Sequence, residues 1–292
     1  MALAIILAFT MTLITASSNI VLKKGFSRIY PFVAVYISVA IGTLFLWAAT
    51  FLFVPRNFFY NYKGILIFAA IGSFAPTIVR TLTYYGIHNL GAGRAASLRA
   101  TTPFFATIMA VIFLRESPGI GIFLGILLIV SGITFLSKKD EKDSFSWRTF
   151  HFIYPLGAAI LAGAAANLRK YGLNLMPQPI FASTIAATSS LIILTPYVFF
   201  KYRPLNNIGL HNKRELRFII IAAFLTSCGE IVDLSALLYG KVSLVVPIFA
   251  TTPLVTVLLS RAFLKKQEMI TGKLILATVL ILCGVWLAII NA

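Results

Sequence analysis

The sequence has very little charge, and most of the charge it has is positive. Charged residues account for 11% of the 292 residues, and only eight of them are Asp or Glu. Soluble domains contain about a quarter charged residues, so the composition excludes a water-soluble globule. The 59% of hydrophobic residues indicate a membrane protein with several spans.

Side chains that carry catalysis or bind metals are also scarce. The three histidines, two cysteines and eight acids are too scattered to form a ligand cluster. Outside the apolar stretches there is no soluble domain and no nucleotide-binding motif. We therefore expect no metal, no cofactor and no enzymatic activity, an ATPase included.

The chain also has no positive charge ahead of its first apolar stretch, so we expect a retained first span rather than a cleaved signal peptide. The net charge of +17 comes mainly from Lys and Arg in short loops. Basic loops between spans are the positive-inside pattern. The charge therefore does not indicate a nucleic-acid partner, and the expected partners are the lipid bilayer and a small-molecule substrate.

Apolar residues form ten stretches that are about long enough to cross the hydrocarbon core, for which roughly 20 residues are needed. The sequence thus predicts an all-α membrane protein with ten transmembrane helices. The predicted spans are 2–22, 31–54, 63–86, 94–114, 119–136, 152–172, 179–200, 216–239, 242–264 and 272–291.

The word ATTP occurs in the fourth span, at 100–103, and again in the ninth, at 250–253. Pro103 cannot donate to the carbonyl of Arg99, and Pro253 cannot donate to that of Phe249, so each proline bends its helix and frees a carbonyl. Within a bilayer such groups need new partners, and the neighbouring threonines are placed to supply them. Two interpretations are open: kinks that shape packing, or segments that line a polar cavity and flex.

The ATTP pair belongs to a longer internal repeat. Glu116 and Glu268 are separated by 152 residues, as are Gly132 and Gly284, whereas Asn19 and Asn167 are separated by 148. The repeated unit is therefore about 150 residues and five spans long. Because five is odd, the second copy enters the membrane from the opposite side, which predicts two inverted five-helix repeats around a central cavity.

The chain resembles the drug/metabolite transporter superfamily, in its ten-span EamA branch, over essentially its whole length. The likeness lies in the five-plus-five repeat and the proline-bearing fourth and ninth spans. It extends to an acid that closes each of these spans, to glycine-rich fifth and tenth spans, and to an Asn and a Lys at the end of the first. The residues are Glu116, Glu268, Gly121, Gly125, Gly132, Gly272, Gly284, Asn19 and Lys23.

The resemblance implies two EamA-like repeats, which we place at 1–143 and 144–292. It also implies a cavity bounded mainly by the third, fourth, eighth and ninth spans, with the first and sixth. Known relatives export amino acids and other metabolites, and more distant ones move nucleotide sugars or lipid-linked sugars. Our candidate cavity residues are Asn19, Arg80, Tyr84, Arg99, Thr101, Thr102, Pro103, Asn167, Glu230, Tyr239, Thr251, Thr252 and Pro253.

Four charged residues fall inside the spans: Arg80, Arg99, Glu230 and Asp233. A charge at mid-bilayer costs about 2.5–3.5 kcal/mol, so each should face protein or a wet cavity. From the helical rise, the arginines and the acids differ by about 12 Å in depth, which is too far for a direct ion pair.

The acids have nearer partners at the end of the sixth span. We expect Asp233 to pair with Arg169 or Lys170, either as a static contact or as a gate that closes in one access state. Glu230 is a candidate for proton coupling.

For Arg80 and Arg99 the alternatives are snorkelling to the interface and binding a carboxylate or phosphate of the substrate. For Tyr84 and Tyr239 they are interfacial anchoring and stacking on the substrate.

Orientation is where the charge pattern and the resemblance disagree. Apart from Arg80 and Arg99, seventeen Lys and Arg follow the odd-numbered spans and six follow the even-numbered ones. The positive-inside rule then places both termini outside the cytoplasm, whereas members of the resembled family usually keep both termini inside. The compact loops favour a prokaryotic plasma (inner) membrane.

The leading functional prediction is a secondary-active transporter of small polar metabolites, amino-acid-like or other organic solutes. We expect it to export them by alternating access. The alternatives are a flippase for lipid-linked or nucleotide-activated sugars, and a membrane scaffold without transport activity. Monomer and homodimer are both compatible with the sequence.

Overall fold

The computed structural model describes residues 1–25, 31–56, 61–79, 82–83, 85, 98–137, 149–201, 213–252, 254–256, 258–259 and 272–291. In these residues there are ten helices of eight or more residues and no strand. They are α1 (Ala2–Gly25), α2 (Pro31–Phe53), α3 (Tyr62–Phe74), α4 (Thr102–Leu114), α5 (Ile120–Ser137), α6 (Ile153–Leu175), α7 (Pro179–Lys201), α8 (Lys213–Tyr239), α9 (Val242–Phe249) and α10 (Gly272–Ile290).

The helices have the composition of membrane spans. Four of them are long and apolar enough to cross a bilayer, namely those over Val35–Phe53, Tyr62–Val79, Pro179–Phe200 and Leu216–Tyr239. Five shorter apolar helices accompany them within the described residues. The remaining helix, α6, is 23 residues long and carries Arg169 and Lys170. Many large apolar side chains face outward, such as Leu52 and Phe200, as expected where the solvent is lipid.

Two helices depart from regular α geometry. The helix α3 continues from Ala75 to Val79 as a π-helix, and Pro76 lies in this segment. The fourth span is interrupted by a turn at 100–101 before α4 begins.

The helices pack in a network that links the two halves of the chain. The closest associations join α1 to α8 and α5 to α10. The helix α7 lies against both α2 and α3, and α8 also packs on α2. On the other side, α6 contacts α3 and α4, while α9 contacts α1.

The α5–α10 contact depends on glycine. A Cβ on Gly125 would clash with the carbonyl oxygen of Gly284, and a Cβ on Gly284 would clash with that of Gly125. A Cβ on Gly132 would lie 2.7 Å from Cγ1 of Ile281. The two backbones therefore touch, as in small-residue interfaces of membrane helices.

Candidate functional site

The first ATTP word forms a break in the fourth span. Residues 98–99 are helical, Ala100 and Thr101 form a turn, and α4 starts at Thr102. Pro103 thus lies in the first turn of a new helix, where its missing N–H has no intrahelical partner to lose. The freed carbonyl of Arg99 accepts a hydrogen bond from Thr102 Oγ1 at 2.7 Å, and Thr101 Oγ1 donates to the carbonyl of Leu98 at 2.6 Å.

The second word has the same hydrogen bonds. Thr252 Oγ1 donates to the carbonyl of Phe249 at 2.6 Å, and Thr251 Oγ1 donates to that of Ile248 at 2.7 Å. The helix α9 ends at Phe249, and residues 250–251 form the turn. Each break is therefore satisfied within its own segment, which lets it exist in an apolar environment.

Replacing Thr102 by Val should lower the free energy of unfolding by about 1–2 kcal/mol, because the Arg99 carbonyl that Pro103 frees loses its donor. The midpoint of thermal unfolding in detergent measures the change. Thr134→Val is a matched control. Thr134 Oγ1 also donates to a carbonyl, that of Val130, but this carbonyl keeps a backbone N–H donor in its own helix when the hydroxyl is removed. The control should leave stability nearly unchanged.

A background variant separates the hydrogen bond from general effects of valine. In Pro103→Ala the N–H returns, so adding Thr102→Val there should cost less than it does alone. Equal costs in both backgrounds would show that Thr102 does not act through the carbonyl that Pro103 frees.

A cavity lies between α2, α3, α7 and α8, with Arg169 of α6 at its wall. Its polar lining comprises Ser38, Ser190, Thr226, Ser227, Glu230 and Arg169, and its apolar lining includes Val39, Leu46 and Ile71. Gly42 and Gly72 also line it, and a Cβ on Gly42 would lie 2.5 Å from Ser227 Oγ. Among the described candidate residues, Arg169 and Glu230 are the two that line this cavity, and its described walls do not include the fourth or ninth span.

An ion pair lies beside this cavity. Arg169 Nη1 donates to Asp233 Oδ2 at 2.6 Å, and the side chains are 27% and 7% exposed. Of the two partners that the sequence allows for Asp233, the structure therefore brings Arg169 to the carboxylate. The pair joins the last part of α6 to the last part of α8.

Lys170 makes a different set of contacts. Its Nζ donates to the carbonyl oxygens of Leu237 at 2.7 Å, Gly240 at 3.0 Å and Leu238 at 3.2 Å. Leu237 and Leu238 lie in the last turn of α8 and Gly240 directly follows it; the last carbonyls of a helix have no intrahelical donor. All three donors of the ammonium group are thus engaged.

Glu116, which lies just after α4, caps the start of α9. Its Oε1 accepts from the backbone N–H of Val242 at 2.7 Å, and its Oε2 accepts from the N–H of Ser243 at 3.0 Å and the hydroxyl of Ser243 at 2.6 Å. A carboxylate at a helix N-terminus satisfies free N–H groups and complements the helix dipole. We call Glu116, Arg169, Lys170 and Asp233 the polar clamp, because together they fix the α8–α9 turn to α4 and α6.

Arg99 lies at the other end of α6. Its Nη1 donates to the carbonyl of Ala158 at 2.9 Å, and the residue is half-buried. Ala158 and Arg169 are eleven residues apart on α6, so Arg99 and the clamp are about 16 Å apart along this helix. The structure does not bring Arg99 and the acids together.

The other candidate residues have varied positions. Asn167 is buried, and its Nδ2 donates to the carbonyls of Ala106 and Gly163, both at 2.9 Å, so it joins α6 to α4. Tyr239 is 57% exposed at the end of α8. Asn19 belongs to α1, but its side chain lies outside the described structure, as do Arg80, Tyr84 and Pro253 entirely.

Sequence reasoning missed two features of the site. In the sequence, Glu116 stands out only through the family likeness, although a single acid after the fourth span is the kind of residue that can cap another helix. Ser190, which lines the cavity with 1% exposure, is not among the residues that the sequence predicts for the site. A serine in an apolar span has no distinguishing local pattern, so no signal in the sequence marks it.

The apolar helices, the intramembrane ion pair and the polar cavity define an integral membrane protein with several spans. The sequence profile of the EamA-like transporter family matches residues 2–138 and 150–290. The chain therefore belongs to the EamA-like transporter family, and it is a membrane transporter of the drug/metabolite type.

Three relatives show what the chain is similar to. An uncharacterized protein of Methanocaldococcus jannaschii is 37% identical over 100 residues, which cover 34% of this chain and 69% of that protein. A non-green plastid triose phosphate/phosphate translocator of Brassica oleracea var. botrytis is 22% identical over 184 residues, or 58% of this chain and 42% of the translocator. An uncharacterized transporter of Synechocystis is 25% identical over 133 residues, or 45% of this chain and 40% of that transporter.

The matched segments thus span less than half the length of the latter two relatives. A solved crystal structure has the same fold, with a TM-score of 0.77 and 14% identity, and the match covers 99% of this chain and 97% of the other.

Proposed function

We propose that this protein is a secondary-active exporter of small polar metabolites that works by alternating access. The single observation that carries the proposal is the pair of matching helix breaks at ATTP, each with its freed carbonyl held by a threonine hydroxyl. A break that satisfies its own backbone allows the two parts of a span to reorient without exposing polar groups to lipid. Transporters of small solutes place such discontinuous helices around their binding site.

We further propose that the chain consists of two inverted five-helix repeats, 1–143 and 144–292. Support comes from the most extensive helix contacts, which are matched when each helix is exchanged for the one five positions away. The α1–α8 contact then becomes α6–α3, α4–α6 becomes α9–α1, and α3–α7 becomes α8–α2. The α2–α7 and α5–α10 contacts map onto themselves.

The polar clamp is the proposed gate on one side. It ties the ends of α4, α6 and α8 to the start of α9, and two further contacts nearby join α2 to α7. Thr50 Oγ1 and Thr184 Oγ1 are 2.7 Å apart, and Trp47 Nε1 donates to Thr188 Oγ1 at 3.0 Å. In the proposed mechanism this end opens when these polar contacts separate together.

Arg99 is the proposed binding group for an acidic part of the substrate. It lies at the first helix break, and one relative is a translocator of triose phosphate and phosphate, which are anions. The relatives from an archaeon and a cyanobacterium support a prokaryotic plasma membrane as the location.

The proposal is tested by measuring efflux and uptake in proteoliposomes that contain the purified protein. The solutes are sugar phosphates, amino acids and organic cations. Arg99→Gln should abolish transport of whichever acidic solutes the unaltered protein transports. A guanidinium binds carboxylate or phosphate through paired charged hydrogen bonds, and an amide cannot replace them. The carbonyl of Ala158 lies inside α6 and keeps its helical N–H donor when the guanidinium is lost, so the fold should persist.

Arg115→Gln serves as the control, since Arg115 is an exposed residue at the end of α4. It should transport as the unaltered protein does. If no solute moves faster than in protein-free vesicles, the transport proposal is wrong. If Arg99→Gln transports normally, the assignment of Arg99 is wrong.

A further inference from the structure

The cavity between α2, α3, α7 and α8 holds a negative charge that no described residue balances. Arg169 and Asp233 neutralise each other at 2.6 Å. Glu230, one turn before Asp233 on α8, lines the cavity and makes no ion pair or hydrogen bond with any described residue. The cluster of Arg169, Asp233 and Glu230 therefore has a net charge of −1 when all three are ionised.

The described cations near this cluster are already engaged. The three donors of Lys170 are used by carbonyls at the end of α8. Arg99 is about 16 Å away along α6 and donates to Ala158. An unpaired carboxylate inside a membrane protein is costly and usually marks an ion or proton site.

Two of the hydroxyl groups that line the cavity, those of Thr226 and Ser227, add acceptors rather than donors. Thr226 Oγ1 donates to the carbonyl of Ala222 at 2.8 Å, and Ser227 Oγ donates to that of Ala223 at 3.0 Å. Their protons are used within α8, so their oxygen lone pairs are what they offer to a guest. Thr226 Oγ1 also lies 2.9 Å from Ser18 Oγ, so the two hydroxyl groups are hydrogen-bonded to each other.

Ser190 gives an independent indication of a ligand. It lines the same cavity from α7, it is 1% exposed, and its Oγ has no hydrogen-bond partner. Buried hydroxyl groups are almost always paired, so an orphan one at the wall of a cavity points to a bound species. A hydroxyl oxygen can serve as a neutral ligand for a cation beside the charged carboxylate of Glu230.

From this arrangement we propose that the cavity is a binding site for a monovalent cation, with Glu230 as its charged ligand and Ser190 as a neutral one. The cation is either an alkali-metal ion or the ammonium group of an organic solute, since both are single positive charges that bind to oxygen acceptors. Described His, Cys, Asp and Glu residues form no group of three suited to a metal ion of higher charge. The inference rests on the proposed transport function for its role, but its binding test does not require transport.

Purified full-length protein in detergent tests the site. The midpoint of thermal unfolding is measured against sodium chloride and against n-butylammonium chloride, with tetraethylammonium chloride, a bulky cation without N–H groups, holding the ionic strength constant. A ligand that binds only the folded state raises this midpoint with its concentration. We expect one of the two probes to do so, and which one responds distinguishes the ion from the amine.

Three variants locate the effect. Glu230→Gln should weaken binding of the active probe by at least about tenfold, because a charged ligand is lost. Ser190→Ala should weaken it by roughly threefold to tenfold, as expected for one neutral hydrogen-bonding group. Ser235→Ala is the control, since Ser235 is on α8 outside the cavity and donates to the carbonyl of Ile231.

The proposal is overturned if neither probe stabilises the protein beyond tetraethylammonium. It is also overturned if Glu230→Gln and Ser190→Ala respond as the unaltered protein does. Should Glu230→Gln fail to fold, Ser190→Ala alone decides. Absence of solute flux in proteoliposomes with cation binding intact would refute the proposed function and leave this site standing.

Discussion

Replacing Glu116 by Gln should destabilise the protein by about 2–4 kcal/mol. The carboxylate accepts three hydrogen bonds, from the N–H groups of Val242 and Ser243 and from the Ser243 hydroxyl. Hydrogen bonds to a charged group contribute about 1.5–3 kcal/mol each, and the half-buried position reduces their sum. The amide keeps one acceptor oxygen but presents an NH₂ group to donors, so at least one bond is lost and another becomes unfavourable. The thermal unfolding midpoint in detergent, together with the yield of folded protein, measures the effect.

Ser243→Ala is the matched control for this prediction. It removes the hydroxyl donor and keeps both backbone N–H groups on Glu116, so it should cost about 1 kcal/mol. If the two variants were equally stable, the carboxylate would contribute nothing beyond the serine contact, and the capping role of Glu116 would be refuted.

Replacing Arg169 by Met should destabilise the protein by about 3–5 kcal/mol, since it leaves Asp233 as a buried charge without its partner. Asp233 is 5% exposed, so water does little to compensate. The double variant Arg169→Met with Asp233→Leu should recover most of the loss, because replacing a whole buried pair by apolar side chains is often nearly neutral. Unfolding midpoints of the two singles and the double give the coupling energy.

The same double variant tests the gate. A static pair predicts that the double variant is stable and transports normally. A gate predicts a stable protein with altered transport, since the closed state loses the contact that holds α6 to α8. If the double variant is no more stable than Arg169→Met alone, the pairing energy does not explain the loss, and the ion pair is not the source of stability.

The helices could be predicted from the sequence because hydrophobic length is the dominant signal in a membrane protein. The predicted span 179–200 corresponds to Pro179–Lys201 in the structure, and 119–136 to Ile120–Ser137. The fourth span is the instructive case. The sequence predicts a bent helix over 94–114, whereas the helix α4 begins only at Thr102. Local hydrogen bonds explain the difference. The hydroxyl groups of two threonines donate to the carbonyls that precede the break, so the helix can be interrupted completely without leaving these carbonyls unpaired.

The site could be predicted only in part, because an apolar span gives little information on which of its faces turns inward. The sequence predicts Asp233 near Arg169 or Lys170 because these residues have the same depth in the membrane, and depth follows from sequence position. Glu230 and Ser190 share a cavity because of how α7 and α8 are rotated, and this rotation is set by close packing with α2 and α3. Small residues such as Gly42 and Gly72 permit that packing, but their position in the sequence does not predict which side chains lie beside them.

The glycine contact between α5 and α10 has a mechanical consequence. Where Gly125 and Gly284 meet, main chain rests on main chain, with no side chain between them to change rotamer. This close backbone packing leaves little room for α5 and α10 to slide along each other or to separate. If the proposed alternating access moves the first five helices against the second five, we expect the rotation axis to lie at this contact and the displacement to grow with distance from it.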